Sequence, residues 1–287
     1  MADAPSPYRF LLVNAYSLPE GAAFRMHAFR GRKEEMLMNH AMLAPLLTGI
    51  DWDIHPGAPA THGPWPVETR EEFEITGVNR LPVVREACAS GRYNAIVLLG
   101  GGDPGYLAAR DIGHRHGVAV TSCAHAQMHA AVMLGQRFSI LDVSEVHTLR
   151  MADLVALYRM TGHCASIRNL EFPLPRPAHQ GRISVQDENE RFVREGVSAM
   201  VETAVAEAVA AIEEDGAEAL ILGCSAAYWL KPVLQRRLAG LGWDAPVLEG
   251  YGCAIAMAKM LVDLGADASG LAFPHDPPKR VRRRRIV

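Results

Sequence analysis

The chain has 287 residues, 49% hydrophobic and 21% charged, with a net charge of −3. This is the composition of a globular protein long enough for two ordinary domains with buried cores, and it excludes a whole-molecule field that would draw nucleic acid. No apolar run reaches bilayer length, residues 1–7 lack a signal-peptide pattern, and the five cysteines (Cys88, Cys123, Cys164, Cys224, Cys253) form no CxxC pair. Reduced thiols, a cytoplasmic location and no membrane partner are therefore expected.

Residues 8–14 read as the first strand, with Asn14 and Ser17 in the loop beyond its end. The stretch 18–33 is polar and basic, carrying Arg25, His27, Arg30, Arg32 and Lys33. It reads as a loop insertion, either closing over an anionic ligand or lying as a solvated surface segment. Helical spacing covers 34–47, a short strand follows Gly49, and 55–66, rich in Pro and Gly, is a second loop insertion. Residues 81–89 read as the helix before a strand ending at Gly100. Gly100, Gly101 and Gly102 then lead to Asp103 and Pro104, which suit the cap and first turn of a helix from Tyr106. Glycines at such a place let a carboxylate or enolate oxygen approach backbone N–H groups.

A strand over 118–121 runs into a helix opening at Ser122. His125 and His129 share one face of it, but with no Glu between them and no third ligand they read as structural, and no metal is assigned. Next come a strand at 137–142, a helix to 158, a strand at 165–168 and a loop at 173–180. One long helix is expected over 191–214, closed by Gly216. The apolar run 219–222 reads as a buried strand stopped by Gly223. Cys224 and Ser225 then lie at the carboxyl edge of a sheet, where α/β proteins bind ligands and a following helix N-terminus favours a thiolate. A buried structural cysteine is the competing reading. A helix from about Lys231, a strand at 245–248, a helix at 253–264 and a solvated basic tail at 275–287 complete the chain.

The chain also repeats itself. Residues 94–101 match 218–225 without a gap, so Gly100 takes the place of Cys224. Residues 9–14 recur as 137–142, and 118–134 as 245–261. The implied fold is α/β: two pseudo-symmetric three-layer domains with mainly parallel sheets, 1–117 plus 250–287 and 118–249, and an active-site cleft between them.

Asn94-Ala95-Ile96-Val97 with Asp103-Pro104-Gly105, Met128-His129-Ala130-Ala131, Leu134-Gly135 with Arg137-Phe138-Ser139, and Glu214-Asp215-Gly216-Ala217 leading to Leu222-Gly223-Cys224 resemble blocks of the aspartate/glutamate racemase superfamily, in its hydantoin and allantoin racemase branch. The resemblance implies a small-molecule substrate, no cofactor, a homo-oligomer, and two cysteines on opposite faces of an acidic C–H. This chain departs from that pattern, because Gly100 stands where the first cysteine belongs. None of Asp103, Cys123 and His125, the nearest substitutes, lies at the matching position. Arylmalonate decarboxylases of the superfamily resemble the arrangement found here, with glycine first and cysteine second, one thiol protonating one face of a carbanion left by loss of CO2.

The resulting expectation is a cofactor-independent enzyme, lyase or isomerase, acting through an enolate of a small carboxylate or hydantoin-like substrate. Cys224 would be the general acid or base, and Gly100, Gly101 and Gly102 would supply N–H groups to oxygen. Asn14, Ser17, Asp103, Ser122, His125, Gly223 and Ser225 would complete the substrate site. Three alternatives stand beside it: a hydantoin-type racemase with a non-cysteine second base, a (thio)hydantoin ring-cleaving or desulfurising hydrolase using Cys224 or a metal on His125 and His129, and a non-catalytic ligand-binding protein.

Overall fold

The computed structural model describes residues 6–284; residues 1–5, and 285–287 of the expected basic tail, lie outside the described residues. Two four-stranded sheets, parallel at every pairing, form the frame. The first contains β1 (Arg9–Val13), β2 (Asp51–His55), β3 (Ala95–Leu98) and β4 (Ala119–Ser122) in the order β2-β1-β3-β4. The second contains β5 (Phe138–Asp142), β6 (Cys164–Asn169), β7 (Ala219–Leu222) and β8 (Val247–Leu248) in the order β6-β5-β7-β8. The two orders are identical, and so is the central register: Phe10 pairs with Ala95 and Phe138 with Ala219. The repeated segments of the sequence thus occupy equivalent places.

Both faces of each sheet are covered, which is why the strands read as continuous apolar runs. Leu11, Val13, Ile96 and Leu98 pack under α3 (Arg70–Ala89) and α4 (Tyr106–Arg115). Phe10, Leu12 and Val97 face the other way, toward α2 (His40–Leu47) and α10 (Gly250–Asp263). In the second half, Phe138, Ile140, Ala219 and Ile221 pack on α5 (Cys123–Leu134) and α6 (Glu145–Leu157), and Leu141, Leu220 and Leu222 on α8 (Ala199–Glu213) and α9 (Lys231–Gly240). The two halves therefore exchange helices: α5 follows a strand of the first sheet but packs on the second, and α10 follows β8 but packs on β3 and β4. Assigning 250–263 to the first half agrees with this packing. The expected boundary at 118 does not, because β4 pairs with β3.

Other elements differ from expectation for local reasons. The helix expected at 34–47 is two, α1 (Lys33–Met36) and α2, because Leu37 is extended and Asn39 is left-handed (φ 62°). Met36, Leu37, Met38 and Leu43 are all buried, so apolar periodicity runs straight across the break. The helix at 191–214 is likewise two, α7 (Val185–Glu195), ended by Gly196 at φ 73°, and α8, capped by Ser198. The helix expected at 81–89 is the second half of α3, whose start at Thr69 is fixed by a capping box with Glu72. Beyond Cys224 the chain forms a 3-10 turn, Ser225–Leu230, before α9. No helix among the described residues is long and apolar enough to cross a membrane.

Candidate active site

The ends of β1, β3 and β7 and their loops meet in one pocket between the halves. Asn14, Gly100, Gly101, Gly102, Cys224 and Ser225 line it together. The other expected residues stand elsewhere. Ser17 is tied by its backbone to Ala58 and Ala60. The Gly223 Cα is packed against the Asp142 carboxylate.

Asp103 neither lines the pocket nor caps α4. Its buried carboxylate accepts bonds from Ser122 Oγ (2.6 Å), the Ala124 and His125 N–H groups (both 2.8 Å) and Tyr158 Oη (2.9 Å), capping α5 across the chain. Asp103, Ser122 and the His125 backbone thus brace the glycine loop from behind. The His125 ring bonds Tyr106 Oη (3.1 Å) and stacks on His129 (centroids 4.1 Å apart). His129 Nδ1 is 2.8 Å from its own helix carbonyl at His125, so the pair is not arranged to share an ion. Cys123 is buried with Sγ on the Leu98 carbonyl (3.4 Å), and it does not line the pocket.

Cys224 is 5% exposed, the pocket-lining cysteine among the described residues. Burial pushes its thiol well up, the Asp142 and Glu68 carboxylates push it further, and a backbone bond at Ala226 pulls it only partly back. The expectation of a stabilised thiolate is thereby corrected. A single 3-10 turn supplies too little to offset burial beside two carboxylates, so Cys224 rests as a proton donor.

Several pocket residues were not legible beforehand. His147, on the first turn of α6, donates through or accepts at Nδ1 with Asp142 Oδ2 at 2.8 Å. Burial disfavours its cation, but Asp142 and Glu68 outweigh burial and leave its pKa raised. The one available signal was the repeat itself: Asn14 maps onto Asp142, a carboxylate at the matching strand end, five residues before a histidine. Tyr16, Phe73 and Tyr251 add aromatic walls, and burial raises both phenols.

Behind the glycine loop lies Arg80, fully buried. Its guanidinium donates to the carbonyls of Val13 (3.1 Å), Pro104 (3.2 Å) and Leu99. Burial lowers its pKa to about 10, so it remains a cation at neutral pH and adds positive potential beneath the N–H groups of Gly100–Gly102.

The insertion 18–33 closes the pocket with Phe24, His27 and Phe29 rather than with its basic side chains. Arg25 is spent on Glu190 (3.1 Å), Arg32 on Glu35 (2.7 Å) and Lys33 on the Trp52 carbonyl (2.8 Å). Gln186 of α7 anchors the insertion through the Arg25 N–H (2.6 Å) and Ala23 carbonyl (3.1 Å). A second clasp joins the loops at 67 and 174, where Arg176 grips both oxygens of Glu72 (2.6 and 2.8 Å). No lysine or arginine lines the pocket among the described residues.

Paired parallel sheets sharing one cleft, with a thiol at a strand end inside it, define a two-unit α/β enzyme. The chain belongs to the Asp/Glu/Hydantoin racemase family, whose profile matches residues 59–258. It is 29% identical over 187 residues to the hydantoin racemase of Pseudomonas sp. (strain NS671), an alignment spanning 65% of this chain and 66% of that one. Among solved structures it is similar to allantoin racemase from Klebsiella pneumoniae (TM-score 0.65, 24% identity, 93% and 94% of the two chains). It is also similar to a glycine-to-cysteine variant of arylmalonate decarboxylase (TM-score 0.55, 17% identity, 90% and 94%).

Proposed function

We propose that this chain is a cofactor-independent enzyme that forms an enolate from a hydantoin-like or small carboxylate substrate and protonates it on one face from Cys224. The observation that carries this reading is the backbone at Gly100. It stands at φ +113°, where L side chains rarely go, and a Cβ there would meet the Ala15 Cβ at 3.0 Å. The strand end opposite Cys224 is thus shaped for bare backbone, not for a second thiol. In a decarboxylation, the electron pair of the breaking C–C bond becomes the enolate and CO2 departs. The enolate carbon takes the Sγ proton, and the thiolate recovers a proton from solvent. Backbone N–H groups of Gly100–Gly102, over the Arg80 cation, would hold the developing oxyanion. Apolar walls without a lysine or arginine favour a neutral ring or a monoanion over a dianionic amino acid.

One observation favours a second reading, a hydantoin racemase like the relatives so named: His147, oriented by Asp142, is a titratable base within the same pocket. Proton NMR in D2O separates the two. Enantiopure 5-benzylhydantoin and an aryl-methylmalonate are incubated with wild type, Cys224→Ala and His147→Gln. Loss of a carboxylate, with deuterium on a single face and dependence on Cys224 alone, supports the one-thiol reading. Deuterium entering with inversion, abolished in both variants, replaces it by the racemase. Turnover unchanged in Cys224→Ala sinks both.

A further inference from the structure

The insertion that covers the pocket carries a histidine with nothing to bind. His27 lies between Phe24 and Phe29, ring centroids 5.7 Å and 4.5 Å away, and lines the same pocket as Cys224. Both of its ring nitrogens are sealed from solvent and neither has a hydrogen-bond partner in the protein. Neighbouring polar side chains are partnered: Asn14 Nδ2 on the Met36 carbonyl at 3.2 Å, and His147 on Asp142. An apolar residue would pack among these rings at no cost in lost hydrogen bonds, so a doubly unpaired imidazole is unfavourable for the protein alone.

We infer that His27 is a specificity-determining residue, which hydrogen-bonds a neutral amide-like N–H or C=O group of the substrate while Phe24, Phe29, Met38 and Leu174 receive an apolar substituent beside it. This inference rests on the proposed enolate-forming function and names what the cover contributes to it. A neutral imidazole offers one donor and one acceptor, the complement of a ureide or amide edge. Burial lowers its pKa to about 4, so it does not serve as a cation for a carboxylate at neutral pH. The insertion would therefore select for neutral polarity, although its sequence is basic.

The test uses the full chain carrying Cys224→Ala, so that binding is read without turnover, with His27 intact or changed to Leu or Gln. The probe is 5-benzylhydantoin, titrated by calorimetry, with thermal unfolding of each variant alongside. In His27→Leu the expected result is affinity at least about tenfold weaker with Tm unchanged or higher, since a polar group that lacks a partner has been removed. In His27→Gln, which keeps a donor and an acceptor, affinity stays within about threefold. Unchanged affinity in His27→Leu overturns the inference, as does a lower Tm with equal loss in both variants, which would mark a packing role. Absence of binding with His27 intact overturns it as well. Binding that depends on His27, in a protein whose wild type exchanges no proton and releases no CO2, would instead sink the proposed function and leave the role of His27 standing.

Discussion

Gly101 and Cys224 meet directly at the floor of the cleft. A Cβ built on Gly101 would stand 2.2 Å from the Gly223 carbonyl oxygen and 3.0 Å from the Cys224 Cα. All of these atoms are backbone, so neither side has a flexible chain end that can yield. Gly101→Ala should therefore push the two strand ends apart, destabilise the fold by roughly 1–3 kcal/mol, and lower turnover by more than tenfold through misplacement of the thiol. Calorimetric unfolding read beside Cys224-dependent deuterium incorporation checks this, and wild-type activity in the variant would contradict the described contact.

Gly100→Cys recreates the two-cysteine pattern on paper. At φ +113° a cysteine is strained, and its Cβ meets Ala15 at 3.0 Å. The variant should lose about 1–3 kcal/mol of stability and gain no racemisation. Adding Ala15→Gly relieves the side-chain clash but not the backbone strain, so it should recover only part of the stability. Racemisation of 5-benzylhydantoin by Gly100→Cys at wild-type stability would show that the loop still accommodates a thiol.

What was legible in the sequence is what repetition and hydrophobic run length encode. The equivalence of 94–101 with 218–225 placed β3 and β7 at matching positions, and with them Gly100–Gly102 and Cys224 in one cleft. The same equivalence held the clue to Asp142. It did not point to His147, because a helix residue's orientation follows from a cap, here Ser144 on the His147 N–H at 3.3 Å, and not from composition. Asp103 was misplaced because local capping rules count sequence neighbours, whereas its four partners lie 19 to 55 positions away. The insertion 18–33 misled by charge: its arginines settle on nearby acids and carbonyls, and its few aromatic residues turn inward. The thiol of Cys224 was read as activated because strand-end position is visible in a sequence, while burial beside two carboxylates is not.

Asp103 offers a stability test away from the chemistry. Its carboxylate satisfies four donors inside the protein, joining the glycine loop to the start of α5 and to Tyr158. Asp103→Ala strands those donors and should cost roughly 3 kcal/mol, with turnover falling because the loop loses its brace. Asp103→Asn keeps an acceptor but sets an amide N–H2 toward backbone donors, so it should lie between wild type and Asp103→Ala. Urea midpoints at constant m-value measure the order, and an Asp103→Ala protein as stable as wild type would refute the bracing role.

Acid should unfold this protein early, and the sign follows from its histidines. Burial lowers His27 to about 4 and His125 to about 3, against about 6.5 in an unfolded chain. Between those values the unfolded state binds more protons, so the stability these neutral rings contribute is present above pH 6.5 and lost as pH falls toward 4. Each group accounts for about 1.4 kcal/mol per pH unit within its window. Glu72 acts in the same direction at lower pH: burial alone would raise it, but Arg176, the Thr69 and Glu68 N–H groups and Trp65 hold it near about 2, and its contribution disappears as pH falls below 4.5. His147 has the opposite sign. Its raised pKa beside Asp142 contributes stability present below 6.5 and lost as pH rises through its folded value. Two lowered histidines outweigh one raised, so the unfolding free energy should fall steeply from pH 6.5 to pH 4, by a few kcal/mol. His27→Leu should remove about one proton from that slope and leave the rest. Urea unfolding across pH 4–8 reads both. A flat profile below pH 6.5, or an unaltered slope in His27→Leu, would mean that the His27 ring is not held neutral in the folded chain.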